Sequence, residues 1–130
     1  MSQGATPISV LVVEDEILIS NLVADVLSAS GFVVHEVTTA DEALQYLGSG
    51  ADIDVLFTDI NLPGDMNGAE LAARVRELRP EMPIVYASGR YKLSDISPLV
   101  PRSLFMAKPY DPNDVCALLT RLTSTGASPS

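Results

Sequence analysis

Apolar residues in this chain fall into five short runs, and each run stops at a polar residue. Ile8-Ser9-Val10-Leu11-Val12-Val13 ends at Glu14-Asp15-Glu16, and Phe32 to Val37, Ile53 to Thr58, Ile84 to Ala87 and Leu104 to Ala107 follow. Runs that are apolar on both faces and rich in β-branched residues suit strands of a parallel sheet covered on either side. Between them the apolar period becomes helical. Leu18, Leu22, Val23, Val26 and Leu27 recur at helical spacing ahead of Gly31, which stands where a helix C′ glycine belongs. Thr39-Ala40-Asp41-Glu42 reads as a capping box that opens a short helix through Ala43, Leu44 and Leu47 to Gly48. Leu71, Ala72, Val75 and Leu78 mark a further helix, closed by Pro80. Asp111-Pro112-Asn113-Asp114 presents an N-cap with proline at the first helical position, and opens a last helix through Val115, Leu118, Leu119 and Leu122. The stretch 90–102 breaks the rhythm. It carries Pro98 and Pro101 and only a brief helical hint around Leu93 and Ile96, so a short or irregular fourth helix is expected there.

Strand and helix alternate five times, which implies an α/β fold with a doubly wound parallel sheet covered on both faces. Five units suit the flavodoxin-like strand order 2-1-3-4-5, in which strands 1 and 3 flank the crevice at the topological switch point. A closed eight-stranded barrel needs roughly 200 residues or more, and this chain has 130. One domain is expected over residues 8–122, with flexible ends at 1–7 and 123–130.

Composition narrows the function classes. Apolar residues make up 47% and charged residues 19%, enough for one core and unlike a disordered chain. The net charge of −9 argues against binding nucleic acid through its phosphates. Cys116 is the only cysteine, so no intramolecular disulfide forms, and its apolar helical setting predicts an unreactive, buried or half-buried thiol. The N-terminal residues form no signal segment, and no apolar run approaches the roughly 18 residues of a membrane span. A cytoplasmic protein is expected.

The polar residues that end the strands carry the chemistry. Glu14 and Asp15 follow strand 1, Asp59 follows strand 3, Ser88 follows strand 4 and Lys108 follows strand 5, all on one edge of the sheet. Carboxylates gathered in one crevice raise one another's pKa unless a cation joins them. Oxygen ligands without histidine or cysteine select a hard ion, and Mg²⁺ with retained waters is the natural choice. Lys108 adds a fixed positive charge for an anion beside the metal, and Ser88 adds a hydroxyl donor. A metal, a lysine, a serine and an attacking carboxylate make a phosphoryl site with Asp59 as acceptor.

Val12-Val13-Glu14-Asp15-Glu16, Phe57-Thr58-Asp59-Ile60-Asn61-Leu62-Pro63-Gly64, Ala87-Ser88-Gly89 and Lys108-Pro109-Tyr110 together resemble the signatures of response-regulator receiver domains, over about residues 8 to 122. Each motif alone is weak; four in this order at these separations are specific. The resemblance implies the same strand order and gives roles by position. Asp59 becomes the phosphoacceptor. Asp15 is implied as a direct Mg²⁺ ligand, Glu14 as a ligand through water, and Asn61 as a ligand through its backbone carbonyl with its side chain facing the site. Ser88 is implied as the switch hydroxyl, Lys108 as the partner of the phosphoryl group, and Phe105 as the switch aromatic. The Lys108–Pro109 bond matches one that is usually cis in the family. Departures are Glu14, where Asp is common; the loop Pro63-Gly64-Asp65-Met66-Asn67-Gly68, one residue longer than usual; and the proline-bearing stretch 90–102, expected to be the mobile switch element.

The family implies a phosphodonor, a histidine kinase or phosphotransfer protein, and a signalling role rather than an enzyme's. With no effector domain expected after Leu122, the output is expected through a partner protein or a phosphorelay. A Mg²⁺-dependent phosphohydrolase with an aspartyl nucleophile competes with that reading. Such an enzyme usually has a second Asp near the nucleophile as general acid, and Asn61 holds that place. A pseudo-receiver that only binds is the third reading, disfavoured because every site position holds a competent residue. His35 has no second ligand type near it and reads as an ordinary strand histidine.

Overall fold

The computed structural model describes residues 7–89 and 102–124. Five strands, β1 (Ser9–Val13), β2 (Val33–Val37), β3 (Val55–Asp59), β4 (Ile84–Ser88) and β5 (Ser103–Ala107), form one parallel sheet in the order β2-β1-β3-β4-β5. The described helices are α1 (Ile17–Ala29), α2 (Ala40–Gly48), α3 (Gly68–Leu78) and α4 (Pro112–Ser124). This is the strand order that the alternation of elements implies, with β1 and β3 side by side at the crevice. The irregular fourth helix expected over 90–102 lies outside the described residues, apart from Arg102, which has a positive φ of 59°.

Strand alternation sorts the apolar residues into two layers. Leu11, Leu56, Ile84 and Tyr86 face α2 and α3 and pack on Ala43, Leu47, Leu71 and Val75. Val10, Val12, Phe57 and Val85 face the other way and pack on Val23 and Leu27 of α1 and Val115 and Leu119 of α4. Both faces of β3 and β4 are buried, which is why their sequences read as unbroken apolar runs. Each large side chain so buried contributes about 1.5–3 kcal/mol.

The boundaries follow the hydrogen bonds. Thr39 and Glu42 form the expected reciprocal capping box of α2. Asn67 and Glu70 form a second one at the start of α3 (2.8 and 2.9 Å). Asn-x-x-Glu before an apolar run carries that signal, although the turn formers around it mask it. Phe32 stands outside β2 because its amide closes the end of α1 on the Leu27 carbonyl, beyond Gly31 at φ +100°. The third strand begins at Val55 rather than Ile53. Asp54 joins Ser9 through both its amide and its carboxylate, 2.8 Å each, and the ladder starts after it. The last helix runs to Ser124, two residues beyond the expected limit of the domain. Its threonine hydroxyls turn inward, Thr120 to the Cys116 carbonyl and Thr123 to that of Leu119, both 2.8 Å.

Cys116 is half-buried with its Sγ 3.1 Å from Ser30 Oγ, and His35 packs its ring 5.0 Å from that of Tyr46. Among the described residues no helix is long and apolar enough to cross a membrane.

Candidate functional site

The parallel sheet delivers its strand ends to one rim. Glu14 and Asp15 leave β1, Asp59 ends β3, Ser88 ends β4, and Lys108 leaves β5 with its amide on the Ser88 carbonyl at 3.0 Å. Oxygen atoms of Glu14, Asp15 and Asp59 all lie within 4.8 Å of one another. Lys108 Nζ bridges two of these acids, 3.2 Å from Asp59 Oδ2 and 3.3 Å from Glu14 Oε1. Asp15, Asp59, Asn61, Asn67, Gly89 and Lys108 are among the residues that line the open cleft above them. Asp15 is exposed, whereas Glu14 and Asp59 retain only 2% and 5% of their accessible surface. Asp59 is reached from this cleft.

Local backbone bonds hold the end of β3 in place. Thr58 Oγ1 donates to the Asp59 carbonyl at 2.9 Å inside the core. The next amide, Ile60, reaches the Ala87 carbonyl of β4, and the Ile60 carbonyl takes the amide of Gly68 at 2.8 Å. Asn61 turns its side chain toward Ser88, and its Nδ2 donates to Ser88 Oγ at 3.3 Å. Its amide also approaches Asp59 Oδ1 at 3.3 Å. Ser88 is 1% exposed. Phe105 is not part of the cleft. It stands half-buried beside Tyr86, against the core layer under α2 and α3, two positions short of the level of Ser88. The Lys108–Pro109 bond is cis.

Two residues of the site have no role that their sequence context reveals. Gly68 opens α3 directly against the end of β3. A Cβ on it would run into the Asp59 carbonyl oxygen and lie 2.8 Å from Ile60 Cα. Tyr110 closes the Lys108-Pro109-Tyr110 motif. Its ring stands edge-on to Phe57, with centroids 5.6 Å apart, against the core layer under α1 and α4.

The electrostatics are those of acids held together without enough positive charge. Burial, and then the charge of Asp59, raises the Glu14 carboxyl from its ordinary 4.5 to about 6, against the Glu16 amide and Lys108. Burial also raises Asp59, with Lys108 opposing. Burial works against the charge of Lys108, but Asp59 and Glu14 outweigh it and its pKa rises, so the lysine stays cationic. Such a set of hard oxygen donors, two of them reluctant to ionise, fits a divalent cation coordinated by oxygen.

A pH dependence follows. A carboxyl whose folded pKa exceeds its unfolded value stabilises the fold below the unfolded pKa, and that contribution is lost as pH rises through the folded one. Metal-free protein should lose stability from Glu14 between about pH 4.5 and just above 6. The size should be on the order of 1–2 kcal/mol. Glu14→Gln should unfold at the same urea concentration as wild type at pH 4.5 and at a higher one at pH 8, both in EDTA. A wild type more stable than Glu14→Gln at pH 8 would overturn this account.

Comparisons with known proteins agree on the family. The family model of the response regulator receiver domain matches residues 10–120. The two-component response regulator ORR11 of Oryza sativa subsp. indica is 32% identical over 123 residues, which is 92% of this chain and 83% of that protein. The aerobic respiration control protein ArcA of Escherichia coli K12 is 32% identical over 117 residues, 88% of this chain but only 48% of ArcA. Among solved structures, a response regulator receiver protein from Sinorhizobium medicae WSM419 superposes with a TM-score of 0.85 at 32% identity, covering 92% of this chain and 96% of that one. The chemotaxis response regulator CheY4 of Vibrio cholerae superposes at 0.79 with 27% identity, covering 90% and 99%.

Proposed function

Because the chain belongs to the response-regulator receiver family, we propose that it accepts a phosphoryl group on Asp59 from a phosphohistidine of a histidine kinase or phosphotransfer protein, in a Mg²⁺-dependent reaction. The observation that carries this reading is the convergence of Glu14, Asp15 and Asp59, with Lys108 bridging Asp59 and Glu14. Mg²⁺, when bound, supplies positive charge for the acceptor and for the oxygens in transfer. Asp15, Asp59 and the Asn61 carbonyl are its proposed direct ligands, and Glu14 a ligand through water.

The chain's own groups account for the rest. An oxygen of Asp59 attacks phosphorus; the new oxygen–phosphorus bond forms as the phosphorus–nitrogen bond to the donor imidazole breaks. The leaving nitrogen keeps the electron pair. Lys108, already at Asp59, offsets charge on the transferred oxygens, and Ser88 offers its hydroxyl to one of them. Asn61 stands two residues after Asp59, and its amide has no proton suited to a leaving alcohol. That favours a lasting acyl phosphate over hydrolytic turnover, and signalling over enzymic release of phosphate. Acetyl phosphate with Mg²⁺ should add one base-labile phosphoryl mass, mapped to Asp59. Steady release of phosphate from simple phosphomonoesters would favour a hydrolase instead.

A protein donor is supported by the surface beside the cleft. Ile17, Leu18 and Leu22 of α1 stand 56%, 80% and 57% exposed. Of these, Leu22 lines an apolar groove of about 500 Å³ with Ile19, Pro109, Tyr110 and Pro112, which shares Gly89 and Lys108 with the cleft. Exposed apolar patches of this kind mark sites of protein contact. Leu22→Asp should slow transfer from a phosphohistidine protein at least about tenfold, as expected for an apolar anchor lost from an interface. Acetyl phosphate, which needs no groove, should label it at the wild-type rate. Equal slowing with both donors would show damage to the site itself.

A further inference from the structure

Asn61 joins two groups that end different strands, Asp59 of β3 and Ser88 of β4. Its backbone amide lies 3.3 Å from Asp59 Oδ1, and its side-chain Nδ2 donates to Ser88 Oγ at 3.3 Å. One asparagine therefore spans the distance from the proposed acceptor to the serine hydroxyl. Ser88 is 1% exposed, and its carbonyl takes the Lys108 amide at 3.0 Å, so its backbone is fixed within the sheet.

The direction of the side-chain bond sets what the hydroxyl can do. An amide NH₂ group has two protons to give and accepts none, whereas a hydroxyl has one proton and two lone pairs. In its contact with Nδ2, Ser88 Oγ can only accept. Its single proton is left for another acceptor. A carbonyl oxygen in the place of Nδ2 would do the opposite: it would take that proton and leave only lone pairs toward the cleft, where they would repel an anion. Both contacts of Asn61 are at the long end for hydrogen bonds, and bonds of this kind tighten when the reacting group arrives.

We propose that Asn61 is a positioning residue that makes the Ser88 hydroxyl a donor to the phosphoryl group on Asp59. Nδ2 gives a proton to the bond with Oγ, and Oγ gives its own to a phosphoryl oxygen, so the two bonds polarise each other. The role belongs to the side chain and is separate from that of the backbone carbonyl proposed to reach Mg²⁺. The inference rests on the reading of Asp59 as acceptor, and the test separates the two.

Beryllofluoride in saturating Mg²⁺ serves as the phosphoryl mimic, with affinity measured by calorimetry on the full chain. Ser88→Ala should weaken its binding about tenfold or more, the size of a hydrogen bond to a charged group. Asn61→Ala should weaken it about fivefold with Ser88 intact, the size of an ordinary hydrogen bond. In a Ser88→Ala background, where the hydroxyl is gone, Asn61→Ala should cost less than about twofold. Ser88→Thr keeps a hydroxyl, so the roughly fivefold effect of Asn61→Ala should return there. By NMR, a side-chain amide proton of Asn61 should differ in chemical shift between the beryllofluoride complexes of wild type and Ser88→Ala. A loss that came through the metal, the loop or a direct contact of Asn61 with the mimic would be the same with and without the serine hydroxyl. That undiminished penalty, unchanged or tighter binding in Asn61→Ala, or identical amide signals in the two complexes would each overturn the proposal. A wild type that takes up no beryllofluoride would instead bring down the reading of Asp59, and this proposal with it.

Discussion

Asp59→Asn should abolish labelling by acetyl phosphate in Mg²⁺, lowering it by at least about 10³-fold to background, as expected when a covalent acceptor is removed. Asparagine has the shape of aspartate but offers a poor nucleophile and no charge for a cation. The other strand-end residues are alternatives only in principle. Glu14 has both oxygens engaged, on Lys108 and on the Glu16 amide. Asp15 is exposed at the lip of the cleft, and Lys108 pairs with Glu14 and Asp59 instead. The same variant should be more stable than wild type in EDTA at pH 7. Burial raises the Asp59 carboxyl in the folded chain, so its ionised form is a liability that asparagine removes. A variant that still gains a phosphoryl mass would place the acceptor elsewhere. A variant less stable than wild type without metal would mean that the Lys108 ion pair outweighs the desolvation of Asp59.

Most of this site is legible in the sequence because a parallel sheet converts sequence order into spatial order. An apolar run that stops at an acid tells where a strand ends, and parallel strands end on one rim, so Glu14, Asp15, Asp59, Ser88 and Lys108 can be gathered without coordinates. What cannot be read is what depends on approach rather than on residue type. Asn67-Gly68 is legible as a turn, but nothing in it says that α3 begins against the Asp59 carbonyl. Tyr110 is legible as a half-apolar residue after a proline, but a buried hydroxyl that meets no partner among the described residues is a property of packing. Phe105 shows the reverse case. Its place in β5 follows from its apolar run, yet alternation sends it to the layer under α2 and α3, outside the cleft that the strand-end residues line. The strand limits move by one or two residues wherever a side chain or a helix end takes a ladder partner, as Asp54 does with Ser9.

Gly68→Ala should be among the most damaging single-methyl changes in the chain. The added Cβ would collide with the Asp59 carbonyl oxygen, and with Ile60 Cα at 2.8 Å and the Asp59 carbonyl carbon at 2.9 Å, all backbone atoms that cannot swing aside. Two effects oppose each other. Alanine is the better helix former by about 1 kcal/mol, and overpacking costs about 1–3 kcal/mol or more. Here the obstacle is β3 itself, fixed by Ile60 on β4 and by Thr58 on the Asp59 carbonyl, so the clash should win by about 2 kcal/mol or more. Relief requires the start of α3 to move away, which breaks the 2.8 Å bond from the Gly68 amide to the Ile60 carbonyl and shifts the end of β3. The damage should therefore reach the chemistry as well: Mg²⁺ affinity and acetyl phosphate labelling should both fall at temperatures where the variant is fully folded. Gly48→Ala is the control. Gly48 lies at the end of α2 without a positive φ, and a Cβ added there would meet no atom within 4 Å, so the change should be neutral or slightly stabilising. Urea unfolding of the two variants side by side decides the matter. A Gly68→Ala protein as stable as Gly48→Ala, with labelling intact, would mean that α3 slides freely past the end of β3, and that the acceptor is not held by this contact.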